Sequence, residues 1–174
     1  MLYILFNSTN SYSQIQWDST ASINWDNFKG SPIERKLEFK AGTTSYLECE
    51  YGSHDTCLFY NVRTFFDEVK SWHIDTTNEL LEHERGHFNI SEIYARKIRQ
   101  FLRINLRKEI SDEKIRSGIN ALEEQKERYQ ELYDRETNYS INFVTQKCWQ
   151  LKIHKQLEEL QEYRMTEYNN CLNF

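Results

Sequence analysis

The feature that most limits the folds open to this chain is its lack of helix breakers after Trp72. The single proline is Pro32, and only five glycines occur in 174 residues. From residue 76 onward, Leu80, Leu81, Phe88, Tyr94, Ala95, Ile98, Phe101 and Leu102 recur at helical spacing. Thr76 followed by Glu79 reads as a capping box, and Asp75 adds acid at the positive end of the helix dipole. The pattern predicts a first helix over about 76–108. Ser111, ahead of Asp112 and Glu113, predicts the N-cap of a second helix ending near 137. Asn138 to Ser140 reads as a break, and a third helix is predicted over about 141–166.

The segment before these helices is different. Residues 16–66 read as β-rich: Ile23 to Phe28 as a short strand or turn, Lys36 to Lys40 by alternation, Thr44 to Tyr51 by composition, and Cys57 to Phe66 by alternation again. The expected fold is therefore α+β. A small N-terminal sheet, antiparallel or mixed, packs on a long first helix and two further long antiparallel helices, in a single domain over 16–174.

The first helix carries His83-Glu84-Arg85-Gly86-His87. Two histidines four apart lie on one helix face, so both imidazoles can reach one Zn²⁺ at about 2.0–2.1 Å. The glutamate beside the first histidine is the general base of a metallopeptidase, taking the proton of the attacking water. Gly86 costs a helix about 1 kcal/mol against alanine, which is tolerated where another backbone comes close. The local third ligand of the longer HExxHxxGxxH pattern is missing, since Ile90 and Ile93 stand in those places. His54, His73 and His154 are poorly placed and read as solvated or packing residues.

Helix pairing suggests where a third ligand comes from. A short turn centred near Ile110 makes the first two helices antiparallel, bringing about 138 opposite His83 and about 134 opposite His87. Asp134, Glu136 and Tyr139 are then the candidates.

Composition narrows the partners. The net charge is −5 with both signs mixed, which argues against nucleic acid and anionic membrane. Aromatic residues make up 14% of the chain, enough to build a core despite the low overall hydropathy. The apolar start from Met1 to Phe6 is too short for an integral membrane span. Residues 1–15 read as a leader remnant, a disordered terminus or a first strand. Cys49 and Cys57 sit symmetrically about Ser53 and suit a hairpin disulfide, hence an oxidising compartment. Cys148 and Cys171 read as free thiols. The expected location is periplasmic or secreted, with a cytoplasmic one left open, and oligomeric state is not legible.

The run from Leu81 to Lys97 resembles the bacterial domain of unknown function 922, a family described as predicted secreted zinc-dependent proteases. That family shows HExxH followed by Phe-Asp-Ile, an acidic residue and Tyr-Ala-Arg. Phe88, Ile90, Glu92, Tyr94, Ala95 and Arg96 match, with Asn89 for the aspartate. Ser71-Trp72 and the stretch from Ile23 to Pro32 fit as well, so the resemblance covers roughly 22–150. After its second helix the family reads Tyr-Asp-x-x-Thr-x-His-Gly. Tyr133, Asp134 and Thr137 match, but Tyr139 stands for the histidine and Ser140 for the glycine. The resemblance implies a zinc metallopeptidase acting on peptide or protein substrates, with His83, His87 and Tyr139 as ligands and Glu84 as catalytic base. Glu136 and Asp134 remain alternatives to Tyr139. The departure at 139 also implies a second reading, a catalytically weak or inactive zincin-like scaffold that binds a partner.

Overall fold

A computed structural model describes residues 2–5, 13–20, 22–32, 39–54, 57–106 and 110–171. In chain order these form β1 (Leu2–Leu5), β2 (Gln14–Gln16), β3 (Ala41–Gly42), β4 (Ser45–His54), β5 (Cys57–Asp67), β6 (Trp72–His73), α1 (Asn78–Asn105), α2 (Asp112–Thr137), α3 (Phe143–Glu159) and β7 (Glu167–Cys171). The fold is α+β, and all its described strand pairs are antiparallel. One sheet runs β1-β4-β5-β2, with β7 beside β2 on the same edge of β5, and β3 pairs with β6 in a separate ribbon. Leu2–Leu5 and Gln14–Gln16 are strands, and residues 6–12 between them lie outside the described residues. Ile23 to Phe28 contains a 3₁₀ turn, Trp25–Asn27, capped by the Asn24 side chain. Most of the strand expected over 36–40 lies outside the described residues.

The sheet's inner face follows from alternation. Cross-strand neighbours Leu47 and Thr64, Cys49 and Val62, and Tyr51 and Tyr60 are all buried. They meet Ala95, Ile98 and Leu102 of α1 and Ile115 and Ile119 of α2. A second cluster joins Ile90, Ile93 and Tyr94 of α1 to Tyr133, Trp149 and Ile153. Helix α1 thus lies between the sheet and the other two helices, and 16 of its 28 residues are buried. That is more than a one-sided amphipathic helix requires, so its polar positions are buried too.

The N-cap of α1 is Thr77, one residue after the expected Thr76, and its hydroxyl accepts from the Leu80 amide. Helix α2 begins and ends as its signals predict, closing at Asn138 in a left-handed conformation. Tyr139 and Ser140 follow at φ 50° and 74°, an uncommon run for residues with a Cβ. Helix α3 stops at Glu159, short of the expected 166. Arg96 donates to the Leu157 carbonyl at 2.6 Å and Arg99 to the Tyr163 carbonyl at 2.9 Å. These carbonyls find guanidinium donors on α1 at the point where the helix ends, and the chain turns back.

That return corrects the cysteine reading. Cys57 is bonded to Cys171, because β7 pairs with β5 in a register that places these two opposite each other. Cys49 is a buried free thiol, and burial, the largest influence, raises its pKa to about 12. In the β4–β5 register His54 faces Cys57, so Cys49 faces Val62 and is out of reach of Cys57. Cys148 is free and exposed, as expected.

Gly86 has a different reason from the one expected. What comes close is a ring: a Cβ there would meet Tyr133 Cζ at 2.8 Å and Cε1 at 2.9 Å. Alanine would normally stabilise a helix by up to about 1 kcal/mol over glycine. Here overpacking outweighs that gain, so Gly86→Ala should lower stability by about 1–3 kcal/mol in denaturant unfolding. Combining it with Tyr133→Leu should recover part of the loss. A Gly86→Ala protein more stable than wild type would show that the ring yields.

Candidate metal centre

Helical spacing brings His83 and His87 together, as expected. Their ring centroids lie 4.8 Å apart and their Nε2 atoms 3.2 Å apart. The third group is Asp134 on α2. Its Oδ1 lies 3.1 Å from His83 Nε2 and 2.8 Å from His87 Nε2. Two imidazole nitrogens and one carboxylate oxygen therefore make a triangle with sides of 2.8–3.2 Å. Tetrahedral zinc with bonds of about 2.0–2.1 Å has ligand atoms separated by roughly 3.3 Å, so a small inward ion fits with little adjustment. Within the described residues this is the one group of histidine, cysteine or acidic side chains suited to a metal ion.

The helix hairpin is registered one turn away from the expected pairing at His83. Helix α1 ends at Asn105 and α2 starts at Asp112, and residues of α2 face His83 and His87 four positions earlier than a turn centred near Ile110 would bring them. His83 therefore faces Asp134, while His87 reaches both Asp134 and Gln130. With Asp134 opposite His83, Tyr139 keeps a place on the wall of the cavity that the histidines line. It is 45% exposed, with its ring 4.7 Å from that of Phe39, at the rim of the same cavity. Glu136 is turned toward α3, where it accepts from Trp149 Nε1 at 2.8 Å.

The surroundings fix both rings. Gln130 Oε1 lies 2.5 Å from His87 Nδ1, while its amide donates to the His87 carbonyl and to Ser91 Oγ. That contact is satisfied when Nδ1 carries the proton, which would leave Nε2 available to a metal ion. Tyr133 stacks on His83 at 4.5 Å, and its hydroxyl donates to the His83 carbonyl. Burial opposes a charge on His87, but the Asp134 contact and charge, aided by Glu84, prevail and raise its pKa to about 9. Burial likewise resists ionisation of Asp134, and the two histidines overcome it and hold its carboxyl well below the usual range.

Glu84 is 3% exposed and lines the cavity beside the histidines. Its Oε2 has no hydrogen-bond partner among the described residues. A buried, unpartnered carboxylate oxygen is costly unless something enters the cavity to use it. The other histidines serve elsewhere. His73 packs 4.9 Å from the Trp25 ring, and His154 is exposed beside Glu158. The side chain of His54 lies outside the described residues. Gln130 was not anticipated. Lys126, Gln130 and Asp134 form one stripe of α2 at intervals of four, a signal that gains meaning only once the facing helix is known.

No protein-family model, curated protein or solved structure matches this chain. No described helix is long and apolar enough to cross a membrane.

Proposed function

We propose that this protein is a zinc-dependent metallopeptidase in which His83, His87 and Asp134 hold the metal and Glu84 is the catalytic base. The observation that carries the reading is the unpartnered Oε2 of Glu84, buried against a triangle of two imidazoles and a carboxylate. Two histidines with one carboxylate and an open fourth position are a catalytic zinc set. Bound there, zinc would polarise the scissile carbonyl and lower the pKa of a water toward about 7. Glu84 takes that water's proton and returns it to the leaving amine. Gln130 and Tyr133 keep the imidazoles in place.

The resemblance to the domain of unknown function 922 supports the roles of His83, His87 and Glu84, while the third ligand it implied was Tyr139 and Asp134 was an alternative. An extended peptide would lie along the cavity wall formed by residues 41–45, beside α1, as an added strand. The Cys57–Cys171 disulfide supports a periplasmic or secreted location.

Purified protein should carry about one zinc per chain. Glu84→Gln should keep that metal while cleavage of an unfolded protein substrate falls by about 10²–10⁴-fold. A wild type with no zinc above background would overturn the metal assignment. Bound zinc with cleavage equal in wild type and Glu84→Gln would leave the binding scaffold as the better reading.

A further inference from the structure

The cavity around the metal-ligating groups measures about 590 Å³, and its two ends differ. Toward the start of α1 and the end of α2 its wall carries Phe39, Trp72, Leu80 and Tyr139, with Lys40 and Lys70 close to the first two in the chain. In the other direction along α2, two turns before Asp134, stands Lys126. Its side chain is only 9% exposed. Among the described residues its one ion-pair partner is Glu127, at 3.0 Å, and that side chain is 67% exposed. An exposed partner contributes little to an ion pair, so a nearly buried ammonium at this position is weakly compensated. Lysine is rarely buried without a strong partner. An anion entering the cavity would supply one, with Glu127 turning out to water.

We infer that Lys126 forms a carboxylate subsite, which selects peptides bearing a carboxylate about three residues from the bond at the metal centre. The spacing comes from the helix. Eight residues separate Lys126 from Asp134, about 12 Å at 1.5 Å per residue, and an extended peptide covers that distance in three to four residues. The substrate's carboxylate is either its C-terminus or an acidic side chain at that spacing. This inference rests on the peptidase reading, and it deepens it by naming what the substrate carries.

The test reads binding, so it does not depend on turnover. Zinc-loaded Glu84→Gln protein is titrated with three N-acetylated hexapeptide mixtures: a free C-terminal acid, the matching C-terminal amide, and an amide with aspartate third from the end. One or both carboxylate peptides should bind at least about tenfold tighter than the neutral amide, and whichever does identifies the source. Adding Lys126→Met should remove that preference, whereas adding Lys126→Arg should retain most of it. Near-ultraviolet circular dichroism of the Lys126→Met protein checks that the fold is intact. Equal binding of all three mixtures, or no binding of any, overturns the subsite. So does a preference that survives Lys126→Met, since the carboxylate would then be held elsewhere. An intact preference in a wild type that cleaves nothing would leave the subsite standing and remove the peptidase reading alone.

Discussion

Asp134→Ala should weaken zinc binding by well over the 10–100-fold typical of losing a hydrogen-bonding neighbour of a ligand, while Tyr139→Phe leaves affinity unchanged. Among the described residues the aspartate is the one carboxylate grouped with the two Nε2 atoms, and under the proposed reading it would supply both a ligand atom and the negative charge that offsets a dication. Asp134→Asn keeps the shape and loses the charge, so it should fall between wild type and alanine. Competition against a chelator of known affinity measures all three. Tyr139 sits at the rim with its ring on Phe39, and loss of its hydroxyl removes no ligand in this geometry. If Tyr139→Phe weakens zinc and Asp134→Ala does not, the third ligand returns to residue 139.

Glu92→Leu should destabilise the protein by about 3–5 kcal/mol, the usual result of removing one partner from a buried ion pair. Glu92 is 2% exposed and holds Arg96 at 3.0 Å, Arg99 at 2.8 Å and the Thr64 hydroxyl at 2.7 Å. Arg99 is fully buried and also donates to the Val62 and Tyr163 carbonyls. Without the glutamate, two guanidinium groups would remain in the interior with carbonyls as their main partners. For a chain of this size the loss corresponds to roughly 6–20 °C in melting temperature. Glu92→Gln, which keeps an acceptor, should lose less. A change within about 0.5 kcal/mol for Glu92→Leu would mean that the carbonyls alone suffice. The network ties the centre of α1 to β5 and to the segment after α3, so loss of Glu92 should also loosen β7. Hydrogen exchange of the Tyr168 amide would report that.

Glu92 and Arg96 are among the residues that carry the family resemblance, and the structure gives them a packing role away from the metal. The resemblance therefore rests partly on residues that build the scaffold and partly on His83, Glu84 and His87.

The sequence by itself determined what depends on neighbours along the chain. Helical periodicity gave three helices, cap and break signals gave the limits of α2 to within a residue, and composition and alternation gave β4 and β5 respectively. The spacing of four put His83 and His87 on one face, because a helix fixes that relation whatever packs around it. The tertiary structure decided what depends on elements far apart in the chain. Asp134 meets the two histidines because α2 lies against α1 with Asp134 opposite His83 and Gln130 opposite His87, and a shift of one turn, about 5.4 Å, would change which carboxylate does so. Cys171 finds Cys57 because the chain, held by Arg96 at the Leu157 carbonyl in the last turn of α3 and by Arg99 at the Tyr163 carbonyl beyond it, returns as β7. Gly86 is required by a ring 47 residues away, and Lys126 becomes a feature of the cavity only when α2 lies against α1. These outcomes turn on register and on the partners of buried charges, which no local pattern encodes, because each is settled by the energy of two surfaces meeting and not by the preference of either one.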